Sequence, residues 1–249
     1  MTSVVLSQPH IFSYPNRSEL GQHAAERAAH TLRTVITAHG SARIMLAAAP
    51  SQLSTLTALV EQPDIDWSKV TSFHMDDYIG LPNDAPQGFG NWLDRVIFDN
   101  VFDARFHRIH TSGSGADEAD RYSRLMGEEP FDLVLLGLGV NCHLAFNDPP
   151  AQFSGPLGAK VTKLDAMSRQ QQVDEGHFVD IHEVPTHAIT VTIPRLLNAH
   201  TIIASVPGRS KRQAVDDTLN RPVSGAYPGT ALRTHPCVYL YLDQESDPR

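Results

Sequence analysis

The chain has 249 residues, 41% hydrophobic and 19% charged, enough apolar material for one large α/β domain with a sizeable core and far from the disordered regime. Lys plus Arg number 20 against 28 Asp plus Glu, a net charge of −8, which argues against tracking of a nucleic-acid backbone because that needs clustered positive charge. Cys142 and Cys237 are the only cysteines, too few for a disulfide framework or a four-thiolate zinc site within one chain.

The N-terminal stretch Met1–Ser7 carries no basic leader segment, and no apolar run approaches the ~18–20 residues of a membrane span. A cytoplasmic protein without nucleic-acid or membrane partners is therefore expected. From the start, a strand is predicted near His10–Tyr14. Asn16-Arg17-Ser18-Glu19 then reads as a helix cap, with Leu20, Ala24, Ala28, Leu32, Val35 and Ile36 on one stripe and His39-Gly40 as the stop. Ala42–Ala48 reads as a strand, followed by a helix over about Ser51–Glu61, and Val70–Met75 as the next strand. A turn at Gly80-Leu81-Pro82-Asn83 leads to a helix near Asn91–Phe98, a short strand near His107–His110 and a helix near Ala116–Met126. Phe131–Leu136 is the clearest buried strand, continuous, apolar and bounded by Pro130 and Gly137.

Beyond Gly137 the periodicity loosens, and residues 137–187 read as loop with one strand at Lys160–Lys163. A stretch this long points to a functional loop or lid, placed over about 150–187. Regularity returns with strands at Ala188–Ile193, Thr201–Val206 and Val238–Leu242 and a helix near Ser210–Leu219. Strands alternating with helices imply right-handed crossovers: a doubly wound, mostly parallel α/β sheet with helices on both faces. No interdomain linker interrupts it, so one domain over 1–249 is expected.

In open parallel sheets ligands gather beyond the carboxyl ends of the strands, and four such ends carry unusual residues. In Phe73-His74-Met75-Asp76-Asp77-Tyr78 two adjacent carboxylates close an apolar strand. They read either as a turn cap or as a general base whose desolvation raises its basicity. The segment Gly137-Leu138-Gly139-Val140-Asn141-Cys142-His143 continues to Asp148. It lacks the third glycine of a dinucleotide fingerprint, but sets a His and an Asp five residues apart on a glycine-led loop. Ala48-Ala49-Pro50-Ser51-Gln52 and Gly208-Arg209-Ser210-Lys211 each open a helix, where free amides and a nearby cation suit a phosphate. Pro50 makes the first of these the poorer donor. His107, His110, His177, His182 and His187 show no metal-ligand spacing, and no metal is expected.

At these residues the chain resembles the glucosamine-6-phosphate deaminase (isomerase) family, which shares its fold with 6-phosphogluconolactonases. Phe73-His74-Met75-Asp76-Asp77-Tyr78-Ile79-Gly80-Leu81-Pro82 is similar to the family's F-N-M-D-E-Y-V-G-L-P, and Gly137–Pro149 to its G-x-G-x-D-G-H-I-A-F-N-E-P. The resemblance implies that Asp76 moves a proton between C2 and C1 of an opened amino sugar, that His143 handles the ring-opening proton, and that Asp148 is its acidic partner. Ser51, Gln52, Asp77 and Gly139 would contact substrate, and Gly208, Arg209 and Lys211 its phosphate, with Arg169 as the candidate lid arginine. Neither metal nor organic cofactor is required. The partner would be a small amino-sugar phosphate, with a homo-oligomer left open.

Three positions depart from the pattern. Asn141 stands where the family has an acid that orients the histidine, and its amide oxygen is expected to hold the ring N–H instead. Cys142 replaces a glycine, at a cost if the turn needs positive φ. Ala48-Ala49-Pro50-Ser51 replaces a T-G-G-T-like phosphate loop. The expected activity is conversion of glucosamine-6-phosphate to fructose-6-phosphate plus ammonia; the alternatives are another amino sugar, or a catalytically impaired sugar-phosphate sensor.

Overall fold

The computed structural model describes residues 6–249; the reading of Met1–Val5 as free of a leader lies outside them. Strand β1 (His10–Tyr14) leads into helix α1 (Arg17–His39). The Asn16 side chain accepts the Glu19 N–H at 3.0 Å and donates to the Glu19 carboxylate at 2.8 Å, so cap and third residue satisfy each other. Gly40, at φ 81°, ends the helix with its N–H on the Ile36 carbonyl. Then come β2 (Ala42–Leu46), α2 (Leu53–Val60), β3 (Val70–His74), β4 (Asp76–Tyr78), α3 (Phe89–Leu93), β5 (Arg105–His107), α4 (Gly115–Met126) and β6 (Phe131–Leu136). The second half holds β7 (Ala159–Lys163), α5 (Ala166–Asp174), β8 (His187–Val191), α6 (Ile193–Leu197), β9 (Ala199–Val206), α7 (Arg212–Asn220) and β10 (Val238–Asp243).

Seven strands form one sheet in the order β1-β10-β9-β6-β2-β3-β5, every neighbouring pair parallel. Because side chains alternate along a strand, each central strand feeds two cores. Met45, Val134, Leu136, Ile202 and Ala204 face a core closed by α4 and α7; Ile44, Leu46, Leu133, Leu135 and Ile203 face one closed by α1 and α2. The alanine-rich stripe of α1 lets α2 come so close that a Cβ on Gly21 would stand 2.6 Å from Ser54. Helices therefore cover both faces, as the alternation of elements predicts.

The chain moves outward from β2 through β3 to β5, then returns to place β6 on the other side of β2. The reversal leaves a crevice between the carboxyl ends of β2 and β6. Beside it lies a second, antiparallel sheet in the order β4-β8-β7, unforeseen because β4 follows β3 after the single residue Met75 and is too short to show alternation. Three local expectations shift. β5 ends at His107 rather than beginning there, the helix expected from Asn91 starts at Phe89 and ends in a π turn at Asp94–Phe98, and the segment read as loop contains α5.

Candidate active site

One cleft opens at the crevice. The loop after β2 contributes Ala48, Ser51 and Gln52; Asp76 enters from β4, and Gly137, Gly139 and His143 from the loop after β6. Lys211 comes from the turn after β9, and Gln171, Gln172 and Glu175 from α5 and its end. Asp76 and His143, 67 positions apart in the chain, thus face the same small space.

Asp76 and Asp77 are neighbours on a strand, so their side chains point to opposite faces. Asp76 faces the cleft. Asp77 turns away and accepts the N–H groups of Tyr78 (2.9 Å), Phe89 (3.1 Å) and Gly90 (3.0 Å), anchoring the start of α3. The expected substrate contact by Asp77 is thereby replaced by a structural one. Burial first, and the Asp77 charge second, raise the Asp76 carboxyl well above the ordinary carboxylate value. Burial also raises Asp77, to about 6, against the pull of its three N–H donors.

His143 is held on a tight turn in which Gly139 N–H meets the His143 carbonyl at 3.0 Å and Cys142 takes φ 72°. The positive φ that the replaced glycine suggested is therefore real, and the buried Cys142 thiol sits 3.1 Å from Thr218 Oγ1. Gly139 is needed for space: a Cβ there would lie 2.2 Å from the His143 ring. Asp148 Oδ1 stands 3.1 Å from His143 Nδ1, and Ser168 Oγ 3.0 Å from the same nitrogen. Asn141 does not reach the ring. Its oxygen accepts the His143 backbone N–H at 3.2 Å, and its amide nitrogen donates to Asp148 (3.1 Å) and Asp165 (3.2 Å). Burial pushes the Asp148 carboxyl up, but hydrogen bonds from His143, Ser168 and Asn141 outweigh it and bring it down to about 2.

At the other end, Gln52 donates to the Ser205 carbonyl (2.9 Å) and to Ser51 Oγ (3.2 Å), while its Oε1 has no partner among the described residues. Lys211 is buried, with Nζ 3.4 Å from Glu175 Oε1; burial lowers its ammonium and Glu175 pulls it part of the way back. Two expected phosphate contacts and the candidate lid arginine lie elsewhere. Gly208, at φ 95°, gives its N–H to the Asp243 carboxylate at 3.0 Å, so an internal carboxylate already fills that anion position. Arg209 is exposed and outside the cleft. Arg169 points away on α5, donating to the carbonyls of Ile181 and Val184.

The face of α5 missed by sequence reading is Ser168, Gln171, Gln172 and Glu175. Their spacing of three, one and three is helical, and Asp165 caps the helix by accepting the Ser168 N–H at 2.6 Å. An apolar-stripe search passes over such a face, because a helix lining a polar cleft presents polar residues to it.

A basic carboxylate and a carboxylate-held histidine facing one crevice of a doubly wound sheet define a site equipped to move protons on a small ligand. A family model described as "Glucosamine-6-phosphate isomerases/6-phosphogluconolactonase" matches residues 15–240. A glucosamine-6-phosphate deaminase of Streptococcus pneumoniae serotype 4 is 31% identical over 210 residues, 84% of this chain and 88% of that protein. Among solved structures, a monomeric glucosamine-6-phosphate deaminase superposes with TM-score 0.87 at 26% identity, covering 95% of this chain and 98% of that one. A 6-phosphogluconolactonase from Shewanella baltica OS155 shares the fold, with TM-score 0.80 at 19% identity, covering 96% and 99%. The chain belongs to the glucosamine-6-phosphate isomerase/6-phosphogluconolactonase family, a family of enzymes.

Proposed function

We propose that this protein isomerises and deaminates an amino-sugar phosphate, converting glucosamine-6-phosphate and water to fructose-6-phosphate and ammonia. The observation that carries the reading is the convergence of Asp76 and the His143–Asp148 pair on one cleft that also holds Lys211. In this reading His143 carries the proton from the C1 hydroxyl to the ring oxygen as the sugar opens. Asp76 then takes the proton from C2, which is acidic beside the C1 aldehyde, while the aldehyde oxygen gains a proton, and returns it to C1 as the C2 amine gives up one N–H proton. The resulting imine at C2 adds water and expels ammonia. Raised basicity suits Asp76 to remove a carbon-bound proton, and the ionised Asp148 stabilises a protonated His143. The same reading takes 1–249 as one domain with a lid over about 150–187, acting in the cytoplasm on a small molecule.

Ammonia release from glucosamine-6-phosphate, from its galacto epimer and from unphosphorylated glucosamine tests it. Release from the first, abolished in Asp76→Asn with binding retained, is the expected result. Binding without ammonia from any of the three would instead make the protein a sensor.

A further inference from the structure

The cleft contains its own counter-anion. Among the described residues lining it, Lys211 is the one Lys or Arg, and Glu175 already occupies it at 3.4 Å. The two side chains are only 5% and 18% exposed, so solvent screens the pair little. Glu175 is fixed in turn by Gln171 Nε2 at 2.7 Å, and Gln171 Oε1 accepts the Val140 N–H at 3.1 Å, tying the end of α5 to the loop that carries His143. Among the described residues, Arg17 also bears on Lys211, but it is exposed and not among the residues lining the cleft, and Arg169 and Arg209 lie outside it as well. A phosphate dianion arriving beside Glu175 would meet like charge in a poorly screened space, and Lys211 cannot serve both anions equally.

Building on the amino-sugar-phosphate reading, we infer that Glu175 is a specificity-determining residue: an internal anion that holds the phosphate position on Lys211 and that the substrate's phosphate must displace. A cleft closed by this pair binds phosphate with its intrinsic affinity reduced by the fraction of molecules in which the pair is open. Displacement also frees the end of α5 that Glu175 anchors. The residue thus sets how strongly the site prefers a phosphorylated sugar and couples phosphate arrival to the helix that carries Ser168.

Calorimetric titration with inorganic phosphate needs no turnover and tests this directly. Glu175→Gln keeps the shape and an acceptor for Gln171 and Lys211 but removes the charge; Glu175→Ala serves as a second variant should the first fold poorly. Both are expected to bind inorganic phosphate at least tenfold more tightly than the parent, and Lys211→Met added to either is expected to abolish the gain. The KM for glucosamine-6-phosphate should fall by a similar factor, more than kcat changes, while affinity for unphosphorylated glucosamine stays within twofold. Unchanged or weaker phosphate binding overturns the inference, as does an equal loss for unphosphorylated glucosamine, which would make Glu175 a sugar contact. Tighter phosphate binding in a protein that never releases ammonia would sink the deaminase reading alone. Intact ammonia release with unmoved phosphate affinity would sink the role of Glu175 alone.

Discussion

Asn141 gives its side-chain amide to Asp148, 3.1 Å away, and not to the ring of the histidine that Asp148 holds. The same nitrogen also reaches Asp165 at 3.2 Å, so one neutral amide bridges two carboxylates, one at the catalytic candidate and one capping α5. An acid at position 141 would put a third negative charge between them. Asn141→Asp is expected to cost about 1–3 kcal/mol of stability and to lower kcat/KM roughly tenfold, on the ~1.4 kcal/mol-per-decade scale. Asp148 has a depressed folded value, so its contribution is present above the unfolded carboxylate value and is lost as pH falls toward about 2. In the variant that loss should begin at higher pH. Thermal melts and pH–rate profiles check this, and faster turnover with an unchanged melt would contradict it.

Asp76 presents the opposite sign. Burial and the Asp77 charge raise its folded value, so its contribution is present below the unfolded carboxylate value and is lost as pH rises through the raised one. Asp76→Asn removes a carboxylate whose ionisation the fold resists. The variant should be more stable than the parent at pH 7 by roughly 1–2 kcal/mol, with the gap shrinking toward pH 4, while ammonia release falls by roughly 10²–10⁴. Melts at the two pH values, beside the assay, decide it. A destabilised variant would mean that Asp76 is a structural anchor.

Ser168 hydrogen-bonds Asp148 and shares Nδ1 of His143 with it. It is not among the residues lining the cleft, and its hydroxyl is placed to steady the ring. Ser168→Ala is expected to lower kcat roughly tenfold with little change in KM and to raise the Asp148 value, because one of its hydrogen-bond donors is lost. Steady-state kinetics together with a carboxylate titration would show it. A change confined to KM would move Ser168 into the substrate-binding surface.

Two glycines on one loop make a contrast. A Cβ on Gly139 would stand 2.2 Å from the His143 ring, whereas one on Gly137 would meet the end of the Gln52 side chain at 2.7 Å. Gly139→Ala should therefore fall on kcat, by tenfold or more, with a crowding cost of about 1–3 kcal/mol. Gly137→Ala should fall on KM, since Gln52 lines the anion end. Reversal of the two patterns would refute the division of the cleft into a proton-handling end and a phosphate end.

Much of the architecture is legible in the chain because it rests on local signals. Phe131–Leu136 is buried on both faces and bounded by Pro130 and Gly137, and it reads end to end as β6. Asn16 and Gly40 mark both ends of α1 through hydrogen bonds closed within a single turn of chain. Cys142 at a turn that prefers glycine is equally local, and its positive φ follows. What escapes is β4 and α5, together with the five-residue α6 between β8 and β9. The first is only three residues long, and the second turns polar residues toward a polar cleft, so neither shows the apolar periodicity by which elements are recognised.

The amino-acid sequence by itself determined the doubly wound sheet and the residue types from which proton chemistry is built, since alternation, caps and strand ends are written in short stretches of chain. Only the tertiary structure decided which member of each candidate pair faces the cleft, Asp76 and not Asp77, Lys211 and not Arg209, and that Ser168, not singled out in the chain, meets the His143 ring. The reason is directional. Adjacent residues on a strand or helix point to different sides, and which side is cleft and which is core depends on elements that pack there from distant parts of the chain.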